Sequence, residues 1–246
     1  MTRQHRHYAM VAVAVCALLT AQTVSATPTA QQIAQVAGTE TDVTRTALVL
    51  TLLAIIPAFI VSSTSFLRII IVLAMVRHAF GMPQTPPNIV LTSLALFMTA
   101  FLMQPTLDQV NDQALTPFME GTASMQQAMD GAAAPMKVFM LRNTRERDIE
   151  MVYSISRTPL PASAAEIELL KLIPAFMLNE LRVAFTIGFV VLLPFLLIDL
   201  VVSSILLSLG MMMVPPQTIS LPVKVLMFVL IDGWSLILEG LLGSFG

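Results

Sequence analysis

Apolar residues in this chain come in long runs, not in alternation, and four runs dominate: residues 47–76, 89–103, 183–207 and 219–242. Runs of this length predict helices at membrane depth, where a span needs roughly 20 apolar residues. No β-type alternation of useful length occurs, so the expected class is all-α. The runs pair into two helical hairpins, residues 46–103 and 183–246, separated by a polar stretch at 104–182 with seven basic and ten acidic residues. That stretch reads as helical. Pro135 is expected to open a helix with apolar positions Phe139, Ile149 and Val152 set among charges. Ser163 and Glu166 match a capping box for a short helix ending near Pro174.

Composition turns membrane-like runs into a membrane protein. Of 246 residues, 56% are hydrophobic and 11% charged, whereas soluble domains carry roughly 25% charged residues. A net charge of −2 gives no reason to expect a nucleic-acid partner. Residues 1–26 have the form of a cleavable secretory signal: Arg3 and Arg6, an apolar run at 9–19, then Val24 and Ala26 before the cleavage point. The run is too short for a span. Residues 27–45 read as a flexible periplasmic leader. Cleavage would remove Cys16, the only cysteine, and leave His78 as the only histidine, so disulfides and Cys/His metal sites are not expected. With the N-terminus outside, Arg77, His78 and Lys224 place both short loops in the cytoplasm and 104–182 in the periplasm.

Each half carries a related pattern. Ile56-Pro57-Ala58-Phe59 recurs as Ile173-Pro174-Ala175-Phe176, and Gly81-Met82 precedes Pro86-Pro87 as Gly210-Met211 precedes Pro215-Pro216. Internal duplication is common in membrane assemblies, although here the spacings between signatures differ. Pro57 and Pro194 are expected to interrupt the hydrogen-bond ladders of their helices. The segments are further broken by a Ser/Thr cluster at 62–65 and by Arg68, Asp199, Asp232, Gly233 and Glu239. Such interruptions are tolerated where helices bury against protein or line a water-filled cavity.

No phosphate-binding glycine loop, HExxH or GxSxG occurs, so no enzyme, metal or cofactor is expected. Chemistry centres instead on the second hairpin. Asp199 and Lys224 occupy its two arms and read as an ion pair, either within one chain or between copies, because desolvated charges survive when paired. Met211, Met212 and Met213 occupy its turn. Methionine adapts to irregular contacts. Repeated around a ring, the three form an apolar collar able to close a pore, while plain anchoring at the membrane surface fits equally well.

Motifs along most of residues 46–245 resemble the FliP family of flagellar type III export-gate proteins. They are FLRIIIVL at 66–73, QTPPN at 84–88, LALF at 94–97, Pro174-Ala175-Phe176 with Glu180-Leu181, Pro194-Phe195-Leu196, IDLV at 198–201, GMMM at 210–213 and LIDGW at 230–234. Departures are mild: Leu178-Asn179 before Glu180, Arg182 where lysine is usual, and Pro83 in the first turn. The resemblance implies a channel-forming core subunit that conducts unfolded flagellar subunits across the bacterial inner membrane. It implies five copies assembled with FliQ and FliR, FlhB and FlhA nearby, and FliO as assembly factor. The assembly would stand largely at periplasmic level in the flagellar basal body. It further implies a pore gasket at Met211, Met212 and Met213, charged assembly positions at Asp199, Lys224 and Arg68, and subunit contacts at Glu180. The competing reading is a solute transporter subunit using Asp199 as an ion or proton site.

Overall fold

The computed structural model describes residues 40–82 and 84–245. The candidate signal, most of the leader and Pro83 lie outside them. All regular elements among the described residues are helical, as the apolar runs predict. The chain divides into two units, residues 1–62 and 63–246, so the first expected hairpin is shared between them. The described part of the first unit is one apolar helix, α1 (Glu40–Ser63), which carries Pro57 in its interior and begins inside the expected flexible leader.

The second unit contains α2 (Phe66–Ala79), α3 (Asn88–Val110), a π-helical turn (Asn111–Leu115), α4 (Thr116–Met119), α5 (Met125–Arg142), α6 (Glu146–Ile155), α7 (Leu169–Ser208), α8 (Pro216–Leu230) and α9 (Gly233–Gly243). Its organising element is α7. At 40 residues and 1.5 Å per residue it is about 60 Å long, twice the roughly 30 Å of a bilayer's hydrocarbon core. It therefore runs through the expected domain boundary at 182/183 and passes Pro174 and Pro194 without ending. Each proline deletes one backbone donor, yet the surrounding helix continues.

Two cores line up along α7. Toward its start, Leu172, Ala175 and Phe176 pack with Met140 of α5, Ile149 and Tyr153 of α6, and Ile167. Further on, Ala184 and Phe195 pack with α2, α3, α8 and α9. Helix α2 contributes Ile69, Val72, Leu73, Val76 and Ala79, an i, i+3, i+4, i+7 stripe. Phe80 closes this core edge-on against Phe195 at 5.2 Å and Phe228 at 4.8 Å.

Several local expectations change. Pro135 lies inside α5, which starts at Met125 under a capping box of Ser124 and Gln127. The Ser163/Glu166 box does not form, and that stretch is a 3₁₀ turn before α7. The fourth apolar run is two helices meeting at 65°. The break is Asp232, whose φ of 50° puts it in the left-handed region that aspartate tolerates better than most residues. Among the described residues, two helices are long and apolar enough to cross a membrane, Asn88–Met119 and Leu169–Ser208, or up to four if two broken pairs each count as a span.

Glycine substitutions discriminate between close packing and open surface. A Cβ on Gly131 of α5 would stand 2.5 Å from the backbone oxygen of Gln113, whereas one on Gly240 of α9 meets nothing within 4 Å. Alanine normally favours a helix over glycine by roughly 1 kcal/mol. We expect Gly240→Ala to follow that rule and Gly131→Ala to reverse its sign, read by thermal unfolding of the detergent-solubilised chain.

Candidate functional site: a methionine turn and a row of paired charges

The α7–α8 turn is built to hold methionines outward. Gly210, at φ 72°, terminates α7 with paired bonds from Gly210 N–H to Leu207 O (3.1 Å) and Met211 N–H to Leu206 O (2.9 Å), the glycine-capped helix end that satisfies otherwise orphaned carbonyls. Extended Pro215 then caps α8, with Pro216 at its first position. Proline suits a helix start because the missing N–H is unneeded there. Between these stops Met212 and Met213 are 80% and 95% exposed. The α2–α3 turn also begins at a left-handed glycine, Gly81 at φ 78°, but its helix is capped by the second proline of the pair, Pro87, where α8 is capped by the first, so the two GM…PP signatures share a glycine-led start and not one turn geometry.

Charges are buried in pairs, and α7 carries a member of three of them. Glu180, fully buried, meets Arg68 of α2. Arg68 Nε donates to Glu180 Oε2 at 2.9 Å and Nη2 donates to Glu180 Oε1. Arg68 Nη1 donates to Ser244 at both its carbonyl (2.7 Å) and its hydroxyl (2.9 Å), and the guanidinium stacks 3.6 Å from the Phe245 ring centre. Two residues after Glu180, about half a turn, Arg182 forks onto buried Asp148 of α6 with two 2.7 Å bonds, the bidentate geometry in which arginine is strongest. Asn179 donates to the Asn143 carbonyl beside them. This belt at 179–182 lies between the two cores.

The last pair is Lys224 of α8 with Asp199 of α7, Nζ to Oδ2 at 2.6 Å in a single chain, with a second bond of 3.1 Å to the Ala79 carbonyl at the end of α2. Lys224 is enclosed (side chain 4% exposed) while Asp199 is a third exposed (34%). Glu180 and Asp199 are 19 residues apart on one helix, about 28 Å at 1.5 Å per residue. The charges thus bracket an apolar stretch of about bilayer thickness and do not sit in its middle.

Sequence reasoning singled out Arg68, Glu180, Asp199 and Lys224 but not the partners Asp148, Arg182, Ser244 and Phe245. Asp148 sat in the run Arg145-Glu146-Arg147-Asp148, as one of the charges among which the apolar positions Phe139, Ile149 and Val152 are set. The available signal was helical phase, because Asp148 lies one helical turn before Val152, an apolar position packed on this core. Glu180, a subunit-contact position by resemblance, is in this chain enclosed and engaged by Arg68.

These features define a class: an all-helical membrane-type protein in which apolar helices are cross-tied by buried charges and present an exposed methionine turn. The profile described as "FliP family" matches residues 49–241, and the chain belongs to that family. It is 49% identical over 201 residues to the "Flagellar biosynthetic protein FliP" of Pectobacterium carotovorum subsp. carotovorum, covering 82% of this chain and 78% of the relative. To the protein of the same name from Bacillus subtilis it is 46% identical over 198 residues (80% and 90%). To that of Caulobacter vibrioides it is 41% identical over 236 residues (96% and 89%). The solute-transporter reading finds no support among these relatives.

The pairs differ in what removal of one partner leaves behind. Arg68→Met strands Glu180 in a dry core and should cost about 3–5 kcal/mol, while pairing it with Glu180→Leu should cost much less. Asp199→Ala takes the counter-charge from enclosed Lys224 and should destabilise more than Lys224→Ala, which leaves a carboxylate that is already a third exposed. Thermal unfolding of the four purified variants measures both orders.

Proposed function

We propose that this chain is a channel-forming core subunit of the flagellar type III protein export gate, passing unfolded flagellar subunits across the bacterial inner membrane. The single observation that carries the channel reading is the methionine turn. Three adjacent unbranched thioether side chains are pushed outward at the tip of a hairpin whose two arms are tied by Lys224 and Asp199. A monomer gains nothing from holding them in water. Around a ring of copies they meet at the axis and form a collar that excludes water and ions when shut, yet deforms around a passing chain.

The outward side of α7 supports assembly. Phe185, Phe189, Leu193, Leu197 and Leu200 are all exposed in the lone chain, an apolar face suited to neighbouring helices or lipid. In the proposed assembly five copies combine with FliQ and FliR, FlhB and FlhA lie nearby, and FliO assists assembly. The charge belt and the α5–α6 head then stand at periplasmic level. Membership of a family whose relatives are named flagellar biosynthetic proteins supports the flagellar setting over other secretion systems.

Replacing Met211, Met212 and Met213 together with glycine should leave assembly intact and raise resting ion leakage of the complex by at least about tenfold, since a dewetted constriction depends on apolar side chains. Ion flux across cells or vesicles carrying the complex is the readout. A complex that assembles and stays tight would remove the collar role.

A further inference from the structure

Beside the Lys224–Asp199 pair lies a cavity of about 130 Å³ between the end of α2, α7 and α8. Its walls are mixed. Leu192, Phe195, Leu196 and Leu221 are apolar, and Asp199, Ser220 and Lys224 are polar. Two of the polar groups are unfinished. Asp199 Oδ2 holds the lysine, but Asp199 Oδ1 is enclosed with no hydrogen-bond partner among the described residues, and so is the hydroxyl of Ser220, a residue only 1% exposed. Lys224 Nζ has three protons and two acceptors, Asp199 and the Ala79 carbonyl. Enclosed oxygens are almost always bonded, to protein or to ordered water.

We propose that this cavity is a hydration site, holding a small cluster of water molecules that bonds Asp199 Oδ1, the Ser220 hydroxyl and the third proton of Lys224. Charge decides the ligand class. A cation would meet the lysine ammonium and an anion the aspartate, so a neutral molecule that both donates and accepts is required. Size agrees, since a liquid water occupies roughly 30 Å³ and a buried one makes two to four bonds. Exposed His78, Gly81 and Gln217 at the rim provide the route to solvent.

The consequence separates the two interhelical pairs that hold the hairpin core. Arg68 spends four of its five donors on protein groups and is only 1% exposed, so separating it from Glu180 strands both charges. Lys224 and Asp199 part into water already present. The second hairpin is therefore fastened at its methionine end by a joint that can open and reclose, and at the other end by one that cannot.

Thiol accessibility tests this in membranes of the producing cell, in a Cys16→Ser background. The probe is hydroxyethyl methanethiosulfonate, small, neutral and water-soluble. Ser220→Cys should react within about tenfold of Gln217→Cys at the exposed rim. It should react at least about 100-fold faster than Ala95→Cys in the dry part of the same core, which needs local opening to be reached. Protection of Ser220→Cys equal to that of Ala95→Cys would overturn the proposal. If that variant does not accumulate, a high-resolution map of the unmodified protein decides. Ordered waters within roughly 3.2 Å of Asp199 Oδ1 and Ser220 Oγ are expected, and an empty cavity, or one filled by a neighbouring subunit's side chain, would overturn the proposal equally.

Discussion

An arginine that is 1% exposed inside an apolar helix bundle is the constraint around which the second unit is arranged. Its charge cannot be shed, because guanidinium stays protonated at any physiological pH. It must therefore be met on every side by acceptors. Glu180 supplies two oxygens, Ser244 two more, and the Phe245 ring covers the face. Those partners come from α7 and from the residues just after α9. One side chain on α2 thereby fixes where the longest helix and the final helix must lie. The phenylalanine cluster at the other end of α2 fills the space so defined.

Helix α7 translates that constraint into layers. Being about twice as long as a bilayer is thick, it cannot belong to one environment. Its first part packs a small core with α5 and α6, and its later part packs the hairpin core. Hydrogen-bonded charge at 179–182 separates them. Apolar surface is then left on α7 where neighbouring helices or lipid can cover it, and polar surface on α5 and α6 where water can.

Much of this was readable before any coordinates. The four apolar runs became helices, and Gly210 and Gly81 marked turns because a left-handed residue at a helix end favours glycine. The charges at 68, 180, 199 and 224 were suspect because hydrocarbon does not accept them singly. Pro135 misled, because it lies inside α5 and does not open it. Pro194 removes one bond from the ladder of α7, yet the helix continues, since in an apolar setting breaking it would orphan far more groups. The capping motif misled for another reason. Ser124-x-x-Gln127 and Ser163-x-x-Glu166 look alike locally, and only the packing of Leu172 and Phe176 decides that α7 starts after Glu168. Ser244 and Phe245 were invisible because nothing in a linear pattern tells which distant charge will meet them, and the helical phase of Asp148 signalled burial without naming Arg182.

The sequence separation of the Arg68 contacts has a consequence for the birth of the protein. Glu180 lies 112 residues later and Ser244 176 residues later. At bacterial synthesis rates of roughly 5–20 residues per second, the arginine of α2 waits on the order of 5–20 s for its carboxylate and longer for its last ligands. Through that interval α2 carries a charge that hydrocarbon rejects. It cannot settle finally until α9 and Ser244 have been made, so the insertion of α2 and the synthesis of α9 are coupled in time by a single guanidinium.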